Sequence, residues 1–186
     1  MLKLIKIKGG TCKATYSKLL TKIKKSPLKS YDKELKKEII LLFEIDSPSK
    51  ANPISYDGKI FSTNKKIKFN KIELKVMSHY KELFNKNIKW IINYLQKSPY
   101  SKRAILTFWD KKFSRLNIRA PCTTSIFFRL DGKNFNMNVH MRANDINNKM
   151  LLNLLLFSAL QKYISDELNL KVGKYIHFVD SAHIYR

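Results

Sequence analysis

An α+β architecture, with α/β as its near variant, in one domain of 186 residues is what the sequence predicts. Two long stretches with helical period, 77–98 and 147–170, alternate with short segments of strand period. Turn residues separate the strand-like segments, and 44% hydrophobic content is enough for a substantial core.

The opening "MLKLIKIKGG" alternates apolar residues with lysine and reads as a strand. It is too short and too charged for a signal peptide or a membrane span. "SYDKELKKE" (30–38) has helical composition, whereas "KEIILLFEI" (37–45) is apolar enough for a buried strand. "DSPSKANPISYDGK" (46–59) collects Pro, Ser, Asn and Gly and reads as a long loop. From Met77 to Ser98, Phe84, Ile88, Ile91, Ile92 and Leu95 fall on one helical face, and Pro99 stops the helix.

Strand period follows in "AILTFW" (104–109), "TSIFFRL" (124–130) and "NFNMNVHMR" (134–142). "DGK" (131–133) forms a hairpin turn between the last two. In the third, Phe135, Met137, Val139 and Met141 share one face, opposite Asn136, Asn138, His140 and Arg142. The stretch 147–170 is apolar almost all round in its first half, so it predicts a buried helix. Asn153 breaks that apolar run, and a buried amide must find partners or cost about 1–3 kcal/mol. "KYIHFVD" (174–180) reads as a final strand entered from Gly173.

The chain carries 37 Lys and Arg against 14 Asp and Glu, a net charge of +23. The excess is +8 over residues 1–50, +12 over 51–120 and only +3 over 121–186. Such a field attracts polyanions, nucleic acid among them, although solvated lysines need no partner. Two cysteines and no apolar leader point to a reducing, cytoplasmic setting without disulfides, and neither a membrane nor a metal site is expected.

Cys122 sits in "IRAPCTTSIFF" (118–128) at the head of a strand. By itself it reads as a small buried thiol. Arg142 lies on the polar face of the next strand, Asn153 in the apolar helix, and "DSAHIY" at the close of the sequence. With "SPYSKRAILTFW" (98–109), "APC" (120–122), "MRANDINNKMLLNLLLFSALQKYISDELNL" (141–170) and "VGKYIHFVDSAHIY" (172–185), this ordered set resembles thymidylate synthase, in its shorter archaeal-type branch. The resemblance covers residues 77–186, leaving 1–76 as a divergent N-terminal part of the same domain.

The resemblance implies a mixed β-sheet packed with a long buried central helix, a sheet-mediated homodimer, and folate-dependent C5 methylation of dUMP. A uracil C5 is a poor nucleophile until a thiolate adds at C6, and Cys122 matches the residue that adds. Arg142 matches the arginine beside the thiol that holds the nucleotide phosphate, where a planar fork gives bidentate contacts. Arg103 matches a phosphate-binding arginine contributed by the partner subunit. Lys102 stands where the family has a second arginine, replacing a planar contact with a point charge. Asn153 matches the amide that reads the pyrimidine edge, accepting from N3–H and donating to O4. Cytosine-specific relatives carry Asp there, so Asn153 favours dUMP. Asp145 matches an aspartate near the pterin of 5,10-methylenetetrahydrofolate, and His183 with Tyr185 match the pair on the deoxyribose hydroxyl.

Ala143 and Thr123 depart from the family, which has serine and often histidine at those places. Its catalytic glutamate has no clear match, Glu44 and Glu82 being the nearest candidates. A pyrimidine-nucleotide hydroxymethylase, which finishes with water instead of hydride, is a close alternative. A non-catalytic descendant binding nucleic acid or a larger assembly through its basic surface is an alternative of another class. Simpler readings of single residues are an exposed Arg142–Asp145 ion pair, and structural or exposed roles for His140 and His177.

Overall fold

A computed structural model describes residues 2–24, 30, 32–63, 69–115 and 120–186. Among them lie β1 (Leu4–Gly9), α1 (Cys12–Lys24), β2 (Leu35–Ile45), β3 (Ile54–Tyr56), β4 (Phe61–Thr63) and α2 (Lys71–Lys97). They continue with β5 (Ile105–Thr107), α3 (Lys112–Arg115), β6 (Thr123–Asp131), β7 (Asn134–Asp145), α4 (Met150–Glu167) and β8 (Lys171–Tyr185). Six strands form one mixed sheet in the order β1-β2-β8-β7-β6-β5, and β3 pairs with β4 in a separate hairpin.

The β6–β7 hairpin turns at Gly132, whose φ of 55° suits a residue without Cβ. Along β7 the expected alternation holds, with Phe135, Met137, Val139 and Met141 all buried. β7 and β8 are parallel neighbours, so the chain must cross between them, and α4 is that crossover. Its first half is apolar nearly all round because the sheet lies on one side while α1, α2 and β3 pack on the others. None of the described helices is long and apolar enough to cross a membrane.

α2 begins six residues before the expected Met77. Asn70 caps it, accepting from Glu73 N at 2.9 Å while the Glu73 carboxylate accepts from Asn70 N at 2.8 Å. This first turn carries Ile72 and Leu74 in solvent, so no apolar face marks it in the sequence. Further along, Tyr80, Phe84, Ile88, Ile91, Ile92 and Leu95 are buried at helical spacing.

Two expectations need correction, and one helix was missed. The segment of helical composition does not form a helix where it is described: from Leu35 onward it is strand, paired with β8 from Leu35↔Tyr185 to Ile45↔Tyr175. Tertiary pairing there overrides local propensity. The loop expected over 46–59 contains β3, whose Ile54 and Tyr56 are buried. α1 was not expected, because Lys13, Lys18, Lys22 and Lys24 obscure its buried stripe of Cys12, Thr15, Leu19 and Ile23.

Alternation breaks near the ends of β7 and β8. Met141 and Asn144 are both buried in β7, and Val179 and Ala182 in β8, three residues apart where two is the rule. The β2–β8 register shifts between Ile39 and Leu41, opposite Ala182 and Val179. This irregular end of the sheet is where the chemistry-bearing residues collect.

Candidate functional site

β6 starts, β7 and β8 finish and α4 starts at the same end of the sheet, because β7 runs antiparallel to β6 and parallel to β8. That topology gathers Cys122, Arg142, Asp145, Asn153, His183 and Tyr185.

Arg142 N donates to Cys122 O at 2.9 Å. The Arg142 guanidinium reaches back over the same loop, with Nε donating to Pro121 O at 3.1 Å and Nη2 to Ala120 O at 3.2 Å. Its Cζ lies 6.0 Å from the centroid of the Trp109 ring, a cation–π distance. Arg142 is therefore the clasp of the segment that presents the thiol, and it is not ion-paired with Asp145. Cys122 is half-buried and carries a free thiol. Cys12 is buried by contrast: its thiol lies 3.5 Å from Pro48 O and 3.6 Å from Leu154 O, and burial pushes its pKa up to about 12.

Tyr80 and Thr123 anchor the head of β6 to α2 through a 2.7 Å bond between their buried hydroxyls. Burial holds the Tyr80 phenol far above its ordinary pKa; the Thr123 bond lowers it, and the nearby Cys122 charge raises it again. The sequence offered no signal for this role, since Tyr80 is one more apolar-face residue of α2.

Asn153 is 3% exposed and aims its amide at β7. Its Nδ2 donates to Asn144 Oδ1 at 3.0 Å and lies 3.9 Å from Met141 Sδ. Its Oδ1 is buried with no hydrogen-bond partner among the described residues. An unpaired buried acceptor is costly, and a bound donor would satisfy it. Asn144, which orients this amide, was missed by sequence reasoning because its partner is distant in the chain.

Asp145 shapes the β7–α4 turn. Its Oδ1 accepts from Asn147 N at 3.0 Å and Asn148 N at 3.2 Å, and its Oδ2 accepts from Asn148 Nδ2 at 2.8 Å. Tyr16 OH donates to Ile146 O at 2.9 Å in the same turn, and burial with the Asp145 charge raises the Tyr16 pKa. Beside it opens a cleft of about 300 Å³ with apolar walls from Phe69, Leu151, Leu152 and Leu155 and a polar rim from Lys13, Glu73, Asn147 and Asn148.

His183 stands in register with Asp145 on one side and Glu38 on the other. Its Nδ1 lies 3.3 Å from Ser181 Oγ, which donates to Glu38 Oε1 at 2.6 Å. The His183 and Tyr185 rings meet edge to face at 4.9 Å. Ser181, in register with Ala143, brings a hydroxyl to the level where the sequence lacks one.

Lys102 and Arg103 are not brought to this end. Lys102 O accepts from Arg129 Nη2 at 3.2 Å, at the far end of β6. At a strand rise of about 3.3 Å per residue, that is roughly 20 Å from Cys122.

Glu44 is unsuited as a proton acceptor. Lys8 first, then Lys6 and Lys174, hydrogen-bond its carboxylate and lower its pKa to about 2, too weak a base for neutral pH. Glu82 is on the exposed side of α2. His140 is solvent-accessible and 2.8 Å from Asp180, and His177 is a core residue bonded to Tyr175. Among the described residues no group of three or more His, Cys, Asp or Glu is placed to hold a metal ion.

Residues 58–186 match the family model of thymidylate synthase. The chain is similar to thymidylate synthase of Streptococcus mutans, at 30% identity over 100 residues, 51% of this chain and 36% of that protein. Its similarity to thymidylate synthase of Streptococcus sanguinis is 30% over 103 residues, 53% of this chain and 37% of that protein. The matched region thus spans little more than a third of the length of these curated relatives.

Proposed function

Because the chain belongs to the thymidylate synthase family, we propose that it methylates dUMP at C5, with the Cys122 thiolate adding to C6 of the ring. The observation that carries this reading is the buried, unpartnered Oδ1 of Asn153 at the end of the sheet where Cys122 and Arg142 meet. That oxygen suits the N3–H of uracil, while the amide nitrogen is already held by Asn144.

Arg142 spends two donors on the Ala120 and Pro121 carbonyls, and the rest of its fork is the natural ligand of the nucleotide phosphate. His183 and Tyr185 take the deoxyribose hydroxyl. Arg103 and Lys102, remote from their own Cys122, serve the phosphate in a partner subunit.

The dimer this requires uses the outer face of the sheet. Leu42, Phe127, Ile176 and Phe178 are half-buried there with no layer of the described residues over them, and Phe127, Ile176 and Phe178 line a shallow hollow of about 310 Å³. An apolar sheet face of this kind suits a second copy laid against it. α4 then becomes the central helix of each protomer.

5,10-Methylenetetrahydrofolate, when bound, supplies the one-carbon unit and the reducing hydride. The cleft beside the Asp145 turn supports this reading, since apolar walls with a polar rim suit a flat heteroaromatic ring. Asp145 and Asn148 would hold the pterin edge, and the leucines the rest.

Product mass tests the reaction. From dUMP and methylenetetrahydrofolate, dTMP is expected; a product heavier by one oxygen would assign hydroxymethylation, and no product would leave the family fold without its reaction.

A further inference from the structure

A line of hydrogen-bonded side chains crosses from the start of β2 to the end of β8 and finishes at His183. Asp32 N donates to Ser30 Oγ at 3.1 Å, and that hydroxyl donates to Glu38 Oε2 at 3.0 Å. The other carboxylate oxygen, Oε1, accepts from Ser181 Oγ at 2.6 Å, the length expected of a hydroxyl on an ionised carboxylate. Such a carboxylate only accepts, so Ser181 gives its single proton to Glu38. The Ser181 hydroxyl oxygen lies 3.3 Å from His183 Nδ1, and the Ser181 carbonyl oxygen lies 3.1 Å from the same nitrogen. Both face it as acceptors, which places the ring proton on Nδ1. In the neutral imidazole Nε2 is then a bare acceptor. Glu38 is the cross-strand partner of His183, so the sheet itself holds the line together.

We propose that Glu38 and Ser181 are positioning residues that lock His183 as its Nδ1–H tautomer, so that Nε2 selects a sugar hydroxyl able to donate a proton. The inference rests on the proposed dUMP site, where the 3′-hydroxyl is the one sugar hydroxyl left free. Its oxygen keeps lone pairs for the Tyr185 phenol, whose ring meets that of His183 edge to face. One hydroxyl thus satisfies both side chains. A 3′-fluoride or 3′-ether has no proton to give and leaves Nε2 unpaired on a side chain only 7% exposed. Without Glu38, the Ser181 hydroxyl is free to turn its proton to Nδ1. The ring proton then moves to Nε2, which becomes a donor, and the preference for a donating hydroxyl is lost.

The test is long-range proton–nitrogen NMR of the histidine rings in the full chain, without nucleotide and at a pH above the usual histidine range. The ring whose signals vanish in His183→Asn is His183. It should show a protonated Nδ1 and a bare Nε2. Glu38→Leu should move part of that proton population to Nε2, whereas Ser181→Thr, which keeps the hydroxyl, should retain the wild-type spectrum. Calorimetry gives a second readout. The wild-type chain should bind dUMP about tenfold more tightly than its 3′-fluoro analogue, the effect of one unpaired acceptor, and Glu38→Leu should shrink that preference severalfold. A chain that binds neither nucleotide refutes the proposed dUMP site, while the ring spectrum still decides the tautomer. A wild-type His183 protonated on Nε2, a ring spectrum unchanged in Glu38→Leu, or equal affinity for the two nucleotides in a chain that binds dUMP would overturn the proposal.

Discussion

Arg142 and Cys122, far apart in sequence, are joined by one 2.9 Å backbone bond, and the Arg142 side chain clasps the two carbonyls that precede the thiol. One side chain thus orders the loop that presents the Cys122 thiol and keeps donors for an anion. Lysine cannot do both, since a point charge lacks the fork. Arg142→Lys is predicted to weaken dUMP binding about 10- to 150-fold, the worth of a charged hydrogen bond. It should also slow reaction at saturating dUMP, which a pure phosphate ligand would not. Titration calorimetry and kcat with KM separate the two.

Asn153 is the residue proposed to read the base. Asn153→Ala should cost about 1–3 kcal/mol in urea denaturation, because Asn144 Oδ1 loses its buried donor. Asn153→Asp is predicted to raise the ratio of dCMP to dUMP affinity, since an oxygen at both positions can accept from the cytosine amine. An unchanged ratio would remove Asn153 from base reading.

The complementary roles proposed for Cys122 and Arg103 predict rescue between subunits. Mixed and refolded, inactive Cys122→Ser and inactive Arg103→Ala chains should recover about a quarter of wild-type activity, one intact site in half of the dimers. No recovery from a verified mixed dimer would place Arg103 in its own subunit's chemistry or outside it.

His177 makes the fold acid-sensitive. Burial, and to a smaller extent the His140 charge, lowers its pKa from 6.5 to about 3. Between these values the unfolded chain binds a proton that the native state refuses, so stability falls as pH falls. Glu44 adds a loss only below its unfolded value of 4.5, as its native pKa is lowered to about 2. From pH 6.5 to about 5, urea denaturation should therefore lose about 1–2 kcal/mol through His177. His177→Gln should flatten that slope even though it lowers stability at pH 7.

What the sequence disclosed follows from where each element lies. β7 was legible because one face meets the core and the other does not, and α4 because the first half of this crossover helix is covered on nearly every side. α1 was hidden because its buried stripe is narrow and interrupted by lysines. The first turn of α2 was hidden because a capping box, not burial, starts it. Cys122, Arg142 and Asn153 could be singled out by the family pattern they carry. Tyr80 and Asn144 could not, because they act through contacts that exist only after the sheet and helices have met.

The nucleophile itself is best tested by intact mass after incubation with 5-fluoro-dUMP and 5,10-methylenetetrahydrofolate. A covalent adduct should form on the wild-type chain, disappear in Cys122→Ser and persist in Cys12→Ser. A folded dimer that forms no adduct, or one whose adduct survives Cys122→Ser, would contradict the assignment of Cys122 as the residue that adds to the pyrimidine.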